Sequence, residues 1–195
     1  MAFELKKNEP LIPFVDAAAF AKWLKANHAK STGLWLKLAK KDAGTKSITY
    51  AEALDEALCW GWIDGQKSTY DDAWWLQRFS PRGPRSIWSK VNREKVRGLI
   101  DAGRMQPPGQ AAITRAKENG QWDQAYDSPK TIKEPEDLLV ALRASPKAEK
   151  FYATLNSANR FSVLHRVHTA KKPETRARRI ATFVEMFVRG EKPHS

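Results

Sequence analysis

The stretch from Asp64 to Lys90 gathers most of the chain's chemistry-bearing residues. Arg78, Arg82, Arg85 and Lys90 fall within 13 residues, around the breaker Ser80-Pro81-Arg82-Gly83-Pro84-Arg85-Ser86. Guanidinium forks match carboxylate or phosphate oxygens two bonds at a time. Ser86 is expected to cap a helix from Ile87 to about Arg104, with Ile87, Trp88, Val91, Val96, Leu99 and Ile100 inward. A helix start presents unpaired backbone N–H groups, so the combination suits an anion. Trp62, Trp74, Trp75 and Trp88 offer flat faces for a planar group, and Asp64 is placed to orient an arginine by a salt bridge. The same residues also suit a structural corner, because Trp in strands and amphipathic helices belongs to cores and no phosphate-loop spacing is present.

A second basic cluster holds Arg166, Lys171, Lys172, Arg176, Arg178 and Arg179, with His165 and His168 beside it. It reads either as a surface for a nucleic-acid backbone or as a solvated helix face. His165-x-x-His168 lacks a third ligand at metal-binding spacing. Glu52, Asp55 and Glu56 share one helix face and read as solvated. Cys59 ends an apolar helix, where a thiol is buried and inert, and no oxyanion hole accompanies it. No catalytic residue, metal or cofactor is assigned on these grounds.

The elements that must position these groups are written in the pattern. Asp16 caps a first helix with Phe20, Trp23 and Leu24 on one face, and Val15 stands at staple spacing from Phe20. Leu34, Leu36 and Leu38 alternate on a strand, followed by a turn at Lys41-Asp42-Ala43-Gly44. Thr49-x-x-Glu52 is a capping box for a second helix. Trp62 and Trp74–Phe79 lie on two strands of a Trp-rich hairpin, with Gly65 as a breaker. Beyond Gly103 the pattern is helical: Pro108, Pro135, Ser145-Pro146 and Pro173 open helices, and Asp127–Thr131 is the best linker. No alternating βαβ pattern is seen. The expected class is α+β, with a small antiparallel sheet and packed helices over 1–105 and a helical part over 106–195.

Composition bounds the rest. The 195 residues carry 34 Lys+Arg and 22 Asp+Glu, a net +12, with 42% apolar residues and 8 Trp. That supports a real core and excludes wholesale disorder. One Cys excludes an internal disulfide. All 14 Arg follow position 75, and so does the whole excess of positive charge. This asymmetry implies an anionic partner: a small molecule, a nucleic acid or an acidic protein surface. There is no membrane-span run and no secretory signal, so a cytoplasmic location is expected.

At CWGWIDGQ, RFSPRGPRSIWSKVN and GRMQPPG, and again at AKENGQWDQAYD and AKKPETRARRI, the chain resembles the YdeI/OmpD-associated, bacteriocin-protection family. The resemblance runs from about Trp23 to Gly190. It implies a bacterial protein with a stress- or bacteriocin-protection role and brings no catalytic residues with it. The functional expectation is a non-enzymatic binding protein for an anionic ligand or partner at Asp64, Arg78, Arg82, Arg85, Ser86, Trp88 and Lys90. The alternatives are nucleic-acid binding, and an enzyme acting on a small acidic or phosphorylated substrate.

Overall fold

Apolar periodicity and end caps fix most of the elements. The structure, a computed structural model, describes residues 4–41 and 43–194. The strands are β1 (Glu4–Lys6), β2 (Glu9–Pro13), β3 (Leu34–Ala39), β4 (Trp62–Thr69) and β5 (Trp74–Pro81). The helices are α1 (Ala17–Asn27), α2 (Tyr50–Cys59), α3 (Lys90–Asp101), α4 (Pro107–Glu118), α5 (Glu136–Arg143), α6 (Pro146–Ala153), α7 (Ser157–His168) and α8 (Pro173–Val188). The class is α+β. Asp42, in the expected turn after β3, lies outside the described residues. The chain divides into two units. One runs to Trp88 and resumes over Asn92–Gln124; the other combines Ser89–Val91 with the chain from Ala125 on. Helix α4 therefore groups with the sheet, and the division falls after residue 124 rather than at 105.

The first unit is built on a five-stranded sheet in the order β1-β2-β3-β5-β4. It is mixed, not antiparallel: β2 and β3 run parallel, with Leu11 opposite Trp35, and α1 connects them. This single βαβ unit escapes the sequence pattern because β2 reads Glu-Pro-Leu-Ile-Pro, and proline argues against a strand flanked on both sides. Gly65 does not end β4; the strand passes through it, with a register shift between Asp64 and Lys67. On the helix-covered face, Leu34, Leu36, Leu38 and Phe79 are fully buried together with Phe20 and Leu24 of α1.

The other face is concave. Neighbouring strands are about 4.8 Å apart, so a flat sheet would separate β1 from β4 by roughly 19 Å. Yet Lys6 Nζ of β1 donates to Ser68 Oγ of β4 at 2.8 Å. Tyr70, just past β4, donates through its hydroxyl to the Glu4 carboxylate at 3.0 Å. The sheet must curl until its two edges meet. Leu11, Trp35 and Leu76 fill the hollow, with the Lys6 ammonium 4.7 Å from the Trp35 ring centre.

Local signals at the caps hold. Asp16 Oδ1 accepts from the Ala19 N–H at 2.8 Å. Thr49 and Glu52 form the reciprocal capping box, and those bonds hold the Glu52 carboxyl below its usual pKa. The staple does not form: Val15 is 59% exposed, and Phe14 packs on Phe20 instead, ring centres 5.1 Å apart. In the second unit, α5 to α8 enclose one apolar core that includes Leu138, Leu142, Tyr152, Val163, Phe183 and Phe187.

Helices α2 and α4 meet almost backbone to backbone. A Cβ on Gly109 would lie 2.1 Å from the Cys59 carbonyl oxygen and 2.7 Å from Met105 Cε. Gly109→Ala is therefore expected to cost about 1–3 kcal/mol through forced displacement. Gly98, inside α3, has no atom within 4 Å of where its Cβ would be. Gly98→Ala is expected to add about 0.5–1 kcal/mol, since only helix propensity changes. Urea unfolding of the two variants checks the opposite signs.

Candidate functional site

The residues of the 64–90 stretch are dispersed into structural roles. Arg78 lies on β5 and forms a two-pronged pair with the buried Glu9 of β2, its Nε 2.7 Å from Oε2. A Cβ on Gly33 would lie 2.5 Å from Glu9 Oε1 and 2.9 Å from Arg78 Nη2, so only glycine leaves room for this pair. Asp64 accepts from the Tyr50 hydroxyl at 2.8 Å; no salt bridge joins it to an arginine among the described residues. Arg82 is 6% exposed, its guanidinium 3.6 Å from the Trp88 ring centre. Its Nη1 donates to the Ile87 carbonyl at 3.2 Å. Trp88 is buried and packs edge-on to Trp122, ring centres 4.9 Å apart.

Ser86 caps no helix. Its N–H donates to the Gly83 carbonyl at 3.0 Å, closing a turn, and Asn119 Nδ2 pins Pro84 by donating to its carbonyl at 2.9 Å. Helix α3 therefore starts at Lys90, and the N–H groups expected at Ser86 for an anion are not a helix terminus. Ile87, Val91 and Ile100, expected inward, are 37%, 48% and 44% exposed. The void beside Arg82, Ser86 and Trp88 measures about 10 Å³, room for barely one water. Lys90 falls in the second unit and pairs with Asp127 at 2.9 Å. Of the four candidate cations Arg78, Arg82, Arg85 and Lys90, Arg85 is exposed and takes part in none of the salt bridges described above.

The second cluster splits in two. Arg176 pairs with Asp137, Nε to Oδ2 2.5 Å and Nη2 to Oδ1 2.9 Å. Its Nη1 also donates to the Val167 carbonyl at 2.9 Å, and Arg179 donates to the Arg166 carbonyl. These two arginines satisfy the last carbonyls of α7, where cations complement the helix dipole. Arg166, Lys171, Lys172 and Arg178 remain exposed around the α7–α8 turn. His168 Nε2 donates to the Lys133 carbonyl at 2.8 Å. Among the described residues no group of three metal-ligating side chains exists.

One of these exposed cations, Arg166, lines a cavity that the sequence did not announce. About 530 Å³ is lined by Pro129, Phe161, Ser162, His165, Arg166 and His194, among others. A neighbouring cleft of about 380 Å³ shares Pro129, Ser157 and Phe161 with it and reaches Lys133, Glu134 and Arg160. Volumes of this order take small organic ligands. Phe161 reads as core by periodicity, but its half-buried ring is left facing the space. The cavity needs Pro129 from the segment before α5 and His194 from the tail, whose N–H is tied to α7 through Asn159 Oδ1 at 2.9 Å. His165 packs edge-on to Tyr126 at 4.6 Å and lies 5.6 Å from Phe161, between ring centres. Burial first, then the charges of Arg166, Arg179 and His168, hold its pKa below the ordinary 6.5.

The fold and cavity together define an α+β protein with a curled-sheet unit and a helical unit that carries the ligand-sized space. Residues 12–112 match the family model described as Domain of unknown function (DUF8412), just over half of the chain, and the chain belongs to that family. Residues 131–190, which hold α5 to α8, match the model described as Bacteriocin-protection, YdeI or OmpD-Associated. The resemblance read from the sequence thus stands on the helical unit. No curated protein and no solved structure gives a match. No helix of the described residues is long and apolar enough to cross a membrane.

The depressed His165 pKa has a stability consequence. Below pH 6.5 the unfolded chain takes up this proton before the folded one does. Folded stability is therefore lost as pH falls from the ordinary value through the lowered one. His165→Phe keeps a ring between Tyr126 and Phe161 but removes the proton site. The wild-type minus variant difference in unfolding free energy is expected to fall between about pH 7 and pH 5. A difference that does not change with pH would contradict the electrostatic assignment.

Proposed function

We propose that the chain is a binding protein for an anionic ligand, held at the α7–α8 corner of the helical unit where Arg166, Lys171 and Lys172 stand exposed. One observation carries this reading. The exposed Arg166 lines the cavity beside Phe161 and His165, and its charge, after burial, helps hold the His165 pKa down. Other arginines of the unit are already paired: Arg143 with Glu136, Arg160 with Glu134, Arg176 with Asp137 and Arg189 with Glu191. What they leave over is the positive field at this corner, which draws anions by Coulomb attraction.

Binding rather than catalysis is supported by the chain's one thiol. Burial pushes the Cys59 pKa up to about 11, opposite to what a nucleophile needs. The protective role named in the description of the matching family is proposed to rest on this binding.

The test is a thermal-shift series with inorganic phosphate and pyrophosphate. The expected result is a Tm that rises with ligand, pyrophosphate more than phosphate, and a rise largely lost in the triple variant Arg166→Gln, Lys171→Gln, Lys172→Gln. An unmoved Tm at about 10 mM pyrophosphate would overturn the reading. Tight oligonucleotide binding with a steep salt slope would replace it with the nucleic-acid alternative.

A further inference from the structure

We infer that the ligand of this corner is amphipathic: a flat aromatic body lodged against Phe161, carrying one anionic group that meets Arg166. The inference rests on the anion-binding reading and adds the class of molecule. The cationic corner opens onto an apolar space rather than a flat surface, since Arg166 and Phe161 line the same cavity. Phe161 and Pro129 also line the neighbouring cleft, so the apolar wall continues away from the cation. Simple inorganic anions have nothing to place there. A ring does, because aromatic edges and faces pack favourably on Phe161, as His165 already does on the inner side.

The far end offers polar partners. Glu134 borders that cleft and accepts from the Tyr152 hydroxyl at 3.0 Å and from Arg160 Nη1 at 3.2 Å. Paired with Arg160, and with Lys133 in the same lining, this carboxylate still offers an acceptor to a hydroxyl or amine. The ligand class is therefore a ring with an anion at the Arg166 end and room for a hydrogen-bond donor at the other. The larger groove of the same unit, about 630 Å³ beside α5 and α8, does not fit this chemistry. Its arginine, Arg176, is neutralised by Asp137, and Glu185 adds further negative charge.

Titration calorimetry of the intact chain with phosphate, phenyl phosphate and 1-naphthyl phosphate tests this. All three share a head group and differ in the body. Affinity is expected to rise along the series, phenyl phosphate at least about tenfold above phosphate, from burial of the ring. Phe161→Ala is expected to erase the ring's advantage while phosphate binding persists, and Arg166→Gln to weaken all three. Ser157→Phe, which fills the shared wall from the first turn of α7, is expected to act like Phe161→Ala and serves if that variant is poorly folded. Equal affinity for all three probes would overturn the inference and leave the anion reading standing. No binding of any probe would overturn both.

Discussion

The pairing of Glu9 with Arg78 is the constraint around which the first unit is arranged. A carboxylate on the central strands with 8% exposure is tolerable only if its charge and lone pairs are met. Arg78 meets both oxygens from β5, reaching over β3 to β2. The pair sits on the concave face, in register with Trp35 and Leu11, because Arg78 stands opposite Trp35 and Leu11 opposite Trp35 in turn. It therefore fixes strand order and face together. The curl follows the same logic: Lys6 lies over Trp35 and bonds Ser68, so a cation from one edge shields the apolar hollow and ties it to the other. Lys37, 4.1 Å from the Tyr70 ring centre and 5.2 Å from that of Trp74, extends this arrangement. The aromatic richness of the hairpin is thus used to seat ammonium groups along a curved sheet.

Elements whose signals are local were legible. Asp16 and the Thr49/Glu52 box announce α1 and α2 because the cap bonds span only three residues. The helices after Pro135, Pro146 and Pro173 announce themselves by proline at the first turn and a 3.6-residue apolar period. Elements whose reason for forming is distant were not. β2 holds its place between β1 and β3 despite Pro10 and Pro13, and no local propensity says so. Ser86 has the type and position of a cap, but Trp88 is drawn into contact with Arg82 and Trp122. After the Gly83–Ser86 turn the chain is non-helical through Trp88, and α3 begins at Lys90.

The same distinction governs the functional residues. Counting arginines by spacing marks where positive charge lies, not where it is unspent. Arg78, Arg104 and Arg176 are consumed by Glu9, Glu56 and Asp137, and all three carboxylates lie at least 39 residues away. Arg82, at the heart of the expected site, is a stacking partner for indole. The second cluster was visible in the sequence, but its division was not: Arg176 and Arg179 are bound to the end of α7, while Arg166, Lys171 and Lys172 are left exposed. The cavity beside them was illegible for a geometric reason. Its walls come from the segment before α5, from α7 and from the tail, and periodicity on α7 alone assigns Phe161 to the core.

On the proposed reading, the partial cover of Phe161 turns a packing detail into a source of selectivity. A surface cation alone discriminates poorly, because exposed ion pairs gain little over hydration and are screened by salt. An apolar cleft alone binds any ring of suitable size. Where both border one space, each supplies what the other lacks. Burial of the ring provides the free energy that survives salt, and the cation fixes the ring's orientation and rejects uncharged competitors. His165 lines the same space, its pKa lowered by burial first and then by the charges of Arg166, Arg179 and His168. On the proposed reading, a bound anion would offset the repulsion from those cations, though not the burial, and make the protonated ring less costly. If the proposed anion binds here, its binding and proton uptake are linked with the same sign, each favouring the other.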